Sequence, residues 1–468
     1  MISFYDVVVV GDELAGAIAG ALLATRGYRV LYLGKAPLLH DELAGQMVTS
    51  APLALTGIEG PVWKRVTAEL QLHVALRRKV ALNHPAFQLL MDEHRIDVGD
   101  ELGRELGREL GEAATAFDTW TSAAAPILDL LDGALGGDVP LPPEGFWERR
   151  RVRKVFASIL VENDLLGALP AGSPLRALAT VPARFGCDLD APGSIATARV
   201  AEVARRGVWS LPGGREALRA LFLERITAHA GELRHDVAVR GLVTRRGRVV
   251  GVGVGEQSQT VGCHAVIGAA DAHALVDLYP ETPPRRLREA AALEPVSCRR
   301  RVHWVVPLGL LPDPLGALAY LVRDPAAPLL GGNAIALYVH SAESGEGQQR
   351  ALTTEVIIDD DSDEALAAID VAVRKGLGRV IPFLDEQLIA TAPSSAPLDP
   401  LWSLPAPALG VCGIASTLGV KGLYIASRQV LPGLGVEGEL CAAWRAARLV
   451  SRNHKRKEVD KGALFESR

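Results

Sequence analysis

The chain has 468 residues, a hydrophobic content of 49% and a formal net charge of −5 at pH 7. Its length favours two domains over one core, and its small negative charge gives no overall electrostatic reason to bind nucleic acid. No long apolar run predicts a transmembrane helix, the first residues do not form a signal peptide, and five scattered cysteines fit a reducing cytoplasm.

The first predicted element is a strand–helix–strand unit at residues 5–35. Val7–Val10 is typical of a buried strand, Ala15–Ala24 of a helix made of small residues, and Arg29–Leu33 of a second strand. Gly11 opens the turn after the first strand. This order is typical of a dinucleotide-binding βαβ unit.

The glycine pattern of this unit departs from the G-x-G-x-x-G fingerprint. Gly11 and Gly16 fill the first and third glycine positions, but Glu13 stands at the second. Gly34 stands where an acid would bind the ribose. A carboxylate about 4 Å from a pyrophosphate charge costs on the order of 4 kcal/mol at an effective dielectric constant near 20. We therefore predict that the nucleotide contacts of this unit are eroded.

The middle of the chain predicts helices, hairpins and an antiparallel sheet. Residues 86–98 indicate a hairpin with its turn at Asp92–Glu93, and leucines 102, 106 and 110 indicate an amphipathic helix. After Trp209 we predict a helix, a hairpin turning at Arg246–Gly247, and a buried strand that ends at Asp271. Residues 300–358 favour an antiparallel sheet that could line a ligand cavity.

The last third of the chain contains two further helix signals. Ser362 is placed to cap a helix that begins with two acidic residues. Residues 422–450 predict a strand, a Pro-Gly-x-Gly turn and a helix. No G-x-S-x-G elbow and no H-E-x-x-H pair is present, so we predict no metal site and nominate no catalytic residue.

Three separated segments carry a resemblance to a known family: residues 5–35, the segment that begins WSLPGGREALRALFLERITAHAG, and LYIASRQVLPGLGVEGELCAAWRAARLV. The chain resembles the phytoene-desaturase-like branch of the FAD-dependent oxidoreductases, relatives of the flavin amine oxidases and of the Rab GDP-dissociation inhibitors. The resemblance implies an α/β fold. Its parts are a Rossmann-like FAD/NAD(P)-binding domain, with a parallel sheet and a β-hairpin layer, and an interleaved α+β substrate domain containing an antiparallel sheet.

The resemblance also implies domain boundaries. The dinucleotide-binding-type domain comprises residues 1–60, 205–285 and 411–450, the substrate- or partner-binding domain comprises 61–204 and 286–410, and 451–468 form a flexible tail.

The same resemblance assigns cofactor contacts. Val239 matches the position whose backbone meets the adenine, and Asp271 ends a turn nearby. The full set of implied FAD-binding residues is Gly11, Gly16, Val239, Asp271, Arg428, Pro432, Gly433 and Gly435.

Four departures from the family pattern fall on these contacts. They are Glu13, Gly34, the loss of a Gly-Gly pair of which only Gly45 remains, and the residues 427–429 that replace a small Gly-x-Gly group. Arg428 could compensate by pairing with a phosphate. From the four departures together we expect the chain to bind no cofactor.

The resulting hypothesis is a pseudo-enzyme with an eroded FAD site that binds a hydrophobic small molecule or a partner protein. We expect no nucleic-acid partner and no transmembrane segment, and the composition allows peripheral contact with a membrane. The alternative is an active FAD-dependent oxidoreductase, a desaturase, isomerase or saturase, acting on a long apolar substrate such as a polyene. A third hypothesis places a different ligand in the nucleotide cleft.

Overall fold

The computed structural model describes residues 4–137, 139–157, 165–341, 348–404 and 408–454. In chain order the strands are β1 (Phe4–Val10), β2 (Val30–Gly34), β3 (His40–Leu43), β4 (Gln46–Thr49), β5 (Leu55–Thr56), β6 (Ala81–Leu82), β7 (Phe87–Leu90), β8 (Arg95–Val98), β9 (Val208–Ser210), β10 (Glu232–His235), β11 (Val239–Arg245), β12 (Arg248–Val254), β13 (Gln259–Gly268), β14 (Pro295–Pro307), β15 (Leu318–Val322), β16 (Ala334–Val339), β17 (Gln349–Ile358), β18 (Ala390–Pro393), β19 (Asp399–Trp402) and β20 (Leu423–Ile425).

Fourteen α-helices lie within the described residues. They are α1 (Leu14–Thr25), α2 (Pro61–Glu69), α3 (His73–Lys79), α4 (Leu102–Leu110), α5 (Thr115–Gly136), α6 (Phe146–Val155), α7 (Pro174–Gly186), α8 (Ser194–Arg206), α9 (Gly214–Ala228), α10 (Ala272–Asp277), α11 (Arg285–Ala291), α12 (Asp363–Val380), α13 (Leu384–Gln387) and α14 (Gly435–Asn453).

The first large sheet is the predicted nucleotide-type sheet. Its strand order is β10-β2-β1-β13-β12-β11, with β20 also paired to β13. β10, β2, β1, β13 and β20 run parallel, and Val7 to Val10 lie opposite Ala265 to Gly268. The valines of β1 are buried because helices cover the sheet, which is the usual setting of an all-apolar parallel strand.

Antiparallel strands extend this sheet at one edge. β11 and β12 form the predicted hairpin, with Arg246 and Gly247 at its turn, and β12 pairs antiparallel to β13. The sheet therefore combines a parallel core with a hairpin layer, and the predicted α/β fold class is confirmed.

The second large sheet is mainly antiparallel. Its order is β18-β14-β17-β16-β15-β7-β8, with β19 also paired to β14. The predicted hairpin of residues 86–98 is present as β7 and β8, and the predicted sheet of residues 300–358 as β14 to β17. Ser362 caps α12 as predicted, because its Oγ accepts a hydrogen bond from the amide of Ala365.

Several expectations about the chain's organisation stay predictions. The proposed domain boundaries are among them. α14 continues to Asn453, while residues 455–468 of the predicted tail lie outside the described residues. In the described part of the chain, no helix combines the length and apolarity needed to span a bilayer.

Candidate active site

The turn after β1 directs the N-terminus of α1 toward the carboxyl ends of the parallel strands. Gly11 in this turn has φ of +118°, and a Cβ there would lie 2.2 Å from the carbonyl oxygen of Ala269. A Cβ on Gly16 would lie 2.0 Å from the Cβ of Ala269. Both positions therefore require glycine for packing against the end of β13. Their contact with a cofactor stays a prediction.

Gly34, at the end of β2, is also fixed by packing. A Cβ at this position would lie 2.4 Å from the carbonyl oxygen of Gly11 and 2.9 Å from the ring of Tyr32. No side chain fits there without moving the backbone. The missing ribose acid is thus a consequence of how closely β2 approaches the first turn.

Glu13 precedes α1 and turns its carboxyl group toward the C-terminal motif. Its Oε2 accepts a hydrogen bond of 2.9 Å from the backbone amide of Arg428. Burial raises the pKa of Glu13 to about 8, assisted by the nearby charges of Asp271 and Glu439 and opposed by that of Arg428. At pH 7 the carboxyl group is therefore largely protonated, and it does not present a full negative charge to the cleft.

The cleft beside this turn, which we call the nucleotide cleft, has a volume of about 210 Å³. Cationic and acidic side chains alternate around it. Its lining residues are Asp12, Glu13, Lys35, Ala36, Leu38, Ser50, Ala51, Arg215, Glu216, Arg219, Arg301, Ser395, Ala396, Pro397, Asp399 and Arg428.

Of the residues that line the cleft, Arg428 has a buried polar atom without a hydrogen-bond partner among the described residues, and three neighbouring residues outside the lining have one each. These atoms are Nε of Arg428, Oγ of Ser427, Oδ1 of Asp271 and Oε2 of Glu439. Buried polar atoms in folded proteins are nearly always hydrogen-bonded, so such a group indicates a polar partner that belongs there. Guanidinium, hydroxyl and carboxyl groups are suitable partners for the diphosphate and the hydroxyl groups of FAD.

The residues that replace the family's small Gly-x-Gly group have defined structural tasks. Oε1 of Gln429 accepts a hydrogen bond of 2.8 Å from the amide of Ala272, which satisfies the first turn of α10. The guanidinium of Arg428 donates to Asp399 at 2.7 Å. These larger side chains connect the C-terminal motif to two neighbouring segments.

The following turn depends on close backbone approach. A Cβ on Gly433 would lie 2.6 Å from Cα of Val411, and one on Gly435 would lie 1.9 Å from the carbonyl oxygen of Gly186. Pro432 precedes them and is fully enclosed. These residues bring α14 against the rest of the molecule, whether or not they also contact a cofactor.

Of the two remaining predicted contacts, Val239 lies on the end strand of the first sheet, and Asp271 follows the carboxyl end of β13, the strand beside β1. Val239 begins β11 and pairs with Val254. Asp271 occupies the position before α10, and burial raises the pKa of its carboxyl group. The charge of Asp271 interacts with those of Glu13 and Arg428, but Asp271 does not line the cleft, and no described contact links Val239 to the cleft.

An inner cavity adjoins the cleft and shares Arg215, Arg301 and Asp399 with it. Its walls are charged and buried. Arg301 pairs with Glu355 at 2.7 Å and also with Asp399. Although burial alone would raise the pKa of Asp399, the guanidiniums of Arg301 and Arg428 hold it well below its usual range.

The inner cavity also contains a second ion pair and two tyrosines. Arg299 pairs with Asp188 at 3.1 Å. Burial raises the pKa values of Tyr320 and Tyr338 above their usual range, so both phenols are neutral at physiological pH. Both are therefore available as hydrogen-bond donors beside the charged network.

An outer cavity of about 450 Å³ adjoins the inner one through Pro52, Leu53 and Tyr338. Apolar and polar side chains line it in about equal numbers. The apolar side includes Met47, Val80, Leu82, Leu211, Pro212, Ala317 and Val339, and the polar side includes Thr49, Arg78, Lys79, Asn83, His84, Ser210, His340 and Ser341.

Sequence reasoning missed the arginines of the inner cavity, although a signal was present. Residues 299–301 are three arginines within an otherwise apolar strand. Because side chains alternate along a strand, Arg299 and Arg301 share one face and Arg300 lies on the other, where it pairs with Asp370. Two charged side chains on the buried face of a strand destabilise the fold unless they are paired. Two arginines at this spacing in an apolar strand therefore predict a buried set of ion pairs.

Comparisons with known proteins agree with this architecture. No family model matches the chain. It is 25% identical over 311 residues to the hydroxyneurosporene desaturase of Rubrivivax gelatinosus, a match that covers 62% of this chain and 57% of that enzyme. Cyclohexylamine oxidase from Brevibacterium oxydans has the same fold, with a TM-score of 0.59, 13% identity, and coverage of 97% of this chain and 100% of that one. A variant of putrescine oxidase redesigned for cofactor binding gives a TM-score of 0.60 at 13% identity, with coverage of 96% and 99%.

The chain resembles the phytoene-desaturase-like flavin oxidoreductases in sequence and in fold. This confirms the resemblance predicted from the three motifs. Because the curated relative is matched over just 57% of its length, its activity and substrate are carried to this chain only as a proposal. The structural similarities, at 13% identity, establish the fold alone.

The expectation that the chain binds no cofactor is wrong. The desaturase relative and the oxidases that share the fold point to FAD instead. The structure supplies the physical reason for the error. The repulsion calculated at Glu13 required an ionised carboxylate, but burial raises its pKa to about 8. The loss of the acid at position 34 reflects the packing of Gly34 against Gly11.

Proposed function

We propose that this chain is an FAD-dependent oxidoreductase. The observation that carries the proposal is the nucleotide cleft, where a helix N-terminus, cationic side chains and the unpartnered Nε of Arg428 converge in a fold shared with oxidases. A helix N-terminus favours a phosphate group because its first amides and its dipole both point at the ligand. Arg428 would add a charged donor at the same place.

The chain's own residues would bind and orient the cofactor. The first amides of α1 and the guanidinium of Arg428 would hold the diphosphate, and Asp271 and Glu439 would accept hydrogen bonds from hydroxyl groups. Bound FAD would supply the group that exchanges a hydride with the substrate. The protonated carboxyl of Glu13 would keep the cleft free of a repelling charge.

The proposed substrate class rests mainly on the curated relative. The outer cavity is lined about equally by apolar and polar side chains, and it adjoins an inner cavity of about 70 Å³ that in turn adjoins the cleft. A long molecule with an apolar chain would contact the apolar side chains of the outer cavity. The similarity to hydroxyneurosporene desaturase supports a polyene and a desaturation-type reaction.

The first experiment measures flavin directly. Purified protein, before and after incubation with FAD, is expected to show the visible flavin absorbance band at near-stoichiometric content. Arg428→Gln removes a charged donor but leaves Asp399 paired with Arg301, so FAD affinity should fall by about tenfold to a hundredfold. The matched control is Arg104→Gln, whose side chain is 75% exposed on α4, and it should leave the affinity unchanged.

A second experiment addresses the substrate. Under anaerobic conditions the flavin band should bleach on addition of an acyclic polyene in detergent, and putrescine serves as the polar comparison. Protein that remains colourless after incubation with FAD would refute the proposal and favour the pseudo-enzyme hypothesis, in which the same cavities bind a hydrophobic ligand or a partner. Bleaching by putrescine alone would keep the cofactor and overturn the substrate class.

A further inference from the structure

A chain of four hydrogen-bonded side chains runs across the second sheet to β3. His303 on β14 lies directly opposite Thr353 on β17, and its Nδ1 lies 2.8 Å from Oγ1 of Thr353. Nε2 of His340, the residue after β16, lies 2.7 Å from the same oxygen. On the other side, Nε2 of His303 lies 2.9 Å from Oδ2 of Asp41 on β3. Three hydrogen bonds therefore follow one another without a gap.

The two ends of this chain lie at two different cavities. His340 lines the outer cavity. At the other end, Asp41 accepts hydrogen bonds from the hydroxyl and the amide of Ser395, which lines the nucleotide cleft. The central residues His303 and Thr353 are only 1% and 0% exposed. The chain is thus a continuous polar path between the two cavities, through side chains that solvent does not reach.

The carboxyl group of Asp41 fixes which nitrogen of each ring carries the proton. Burial alone would raise the pKa of Asp41, but hydrogen bonds from Ser395 and His303 lower it. It is therefore a carboxylate at pH 7 and can only accept hydrogen bonds. Nε2 of His303 carries the proton, so its Nδ1 accepts from the hydroxyl of Thr353. That hydroxyl in turn accepts from the Nε2–H of His340, and all three bonds point toward Asp41.

Both imidazole rings are uncharged at rest. Burial lowers the pKa of His303, although Asp41 opposes this effect. Burial also lowers the pKa of His340 to about 3, assisted by the nearby His303 and His40. A neutral imidazole can take a proton on one nitrogen and release another from its second nitrogen. Because a ring of low pKa holds an added proton only briefly, such rings transfer protons and do not store them.

We propose that this chain is a proton relay between the outer cavity and the edge of the nucleotide cleft. A proton that binds Nδ1 of His340 releases the proton on its Nε2 to Oγ1 of Thr353. The hydroxyl proton of Thr353 moves to Nδ1 of His303, and Nε2 of His303 gives its proton to Asp41. One proton enters at His340, one reaches Asp41, and no electrons move. The reverse passage restores the original positions of the protons.

The use of this relay in a reaction rests on the proposed function. A desaturation removes two hydrogen atoms from the substrate. A flavin takes one of them as a hydride, and the other leaves as a proton. The relay would carry that proton from the outer cavity to Asp41, whose side chain is 16% exposed and can pass it to water.

Hydrogen exchange at the ring of His303 tests the relay without flavin or substrate. The Nε2 proton of His303 is observed by NMR in protein with isotope-labelled histidine, and is assigned by its absence in His303→Asn. His303 can release this proton and stay neutral only when its Nδ1 receives another. Thr353→Val should therefore slow exchange of the Nε2 proton with deuterated water by about tenfold or more. Thr353→Ser, which keeps the hydroxyl, should restore the original rate.

The matched control is Thr354→Val on the same strand. Thr354 is equally buried, but its hydroxyl accepts from Nε1 of Trp304 and donates to the carbonyl of Val302, so it lies outside the relay. If Thr353 were only structural, losing its buried hydrogen bonds would loosen the surroundings and speed the exchange, as Thr354→Val should do. Unchanged or faster exchange in Thr353→Val overturns the relay.

A second variant tests the outer end of the relay. His340 is only partly buried, so His340→Phe is a milder change than one at the centre of the chain. It removes the group that receives protons in the outer cavity and should also slow exchange at His303. Thermal melting checks that each variant is folded. If Thr353→Val does not fold, the exchange rate in His340→Phe decides in the same way.

Failure of the relay and failure of the proposed function give different results. Protein that stays colourless with FAD refutes the proposed function, and the exchange rates still decide the relay. Where a polyene bleaches the flavin, Thr353→Val should slow the bleaching and leave FAD affinity unchanged. Equal bleaching rates in Thr353→Val and the original chain would overturn the part of the relay in the reaction.

Discussion

Replacing Glu13 with Gln removes one of the two carboxyl groups of the first turn, the other being Asp12, while keeping an oxygen that can accept the bond from the Arg428 amide. The pKa of Glu13 is raised from 4.5 to about 8 in the folded chain. At pH values below its unfolded pKa, a buried carboxyl group of this kind does not lower the free energy of unfolding, because it is protonated in both the folded and the unfolded state. As the pH rises from about 4.5 to about 8, the unfolded state loses a proton that the folded state retains, so the free energy of unfolding falls.

The size of this effect follows from the shift. At about 1.36 kcal/mol per pKa unit, the interval between 4.5 and pH 7 corresponds to about 3 kcal/mol, and the partly exposed edge of the side chain reduces it to about 2 to 3 kcal/mol. We therefore expect Glu13→Gln to match the original chain in stability near pH 4.5 and to exceed it by about 2 to 3 kcal/mol at pH 7.

Urea unfolding at pH 5, 7 and 8, on protein of matched flavin content, measures this difference directly. Other titrating groups are common to both proteins and cancel in the comparison. If the stability difference between the two proteins does not change with pH, then Glu13 is ionised in the folded chain and the explanation given for its tolerance in the cleft fails.

The remaining predictions concern affinity and stability. The FAD affinity of the unchanged chain should fall about tenfold or more between pH 7 and pH 9 as Glu13 ionises. In a fluorescence titration, Glu13→Gln should remove this pH dependence. The same fall in affinity with pH in the Glu13→Gln variant would contradict the prediction. Gly34→Ala should lower the free energy of unfolding by about 3 kcal/mol, because the new Cβ would lie 2.4 Å from the carbonyl oxygen of Gly11. Gly103→Ala on α4, where no atom lies within 4 Å of the new Cβ, should raise the free energy of unfolding by about 0.5 to 1 kcal/mol. Arg301→Met should lower the free energy of unfolding by about 3 to 5 kcal/mol in the same urea assay, because the buried carboxylates of Glu355 and Asp399 each lose a cationic partner. A decrease below about 1 kcal/mol would show that water solvates these two carboxylates.

Local patterns in the sequence were sufficient for most of the fold. The valines of β1, the small residues of α1 and the glycine at the turn between them each favour one conformation on their own. The hairpin of β7 and β8 and the cap at Ser362 are likewise determined within a few residues. Such elements could be predicted because neighbouring residues decide them.

The chemistry of the site could not be predicted in the same way. The protonation of Glu13 depends first on its burial and then on nearby charges, among them Arg428 and Glu439, which lie more than 400 residues away in the chain. The pairing of Arg301 with Glu355 and Asp399 joins three strands of the second sheet. From the sequence alone, Glu13 at the second glycine position suggested charge repulsion with a pyrophosphate. In the folded chain, its surroundings raise the pKa of this carboxyl group and remove most of that charge at pH 7.

The first sheet also has a consequence for how the protein is made. Its parallel core takes β1 and β2 from the beginning of the chain, β10 and β13 from the middle, and β20 from near residue 425. During synthesis, the edge of β13 that receives β20 stays unpaired until residues 423–425 have left the ribosome. A polypeptide that stops before β20 lacks the Arg428 segment and exposes an apolar strand edge, which favours its degradation. The segment that carries Arg428 is therefore added to the fold by the same strand that completes the parallel core of the first sheet.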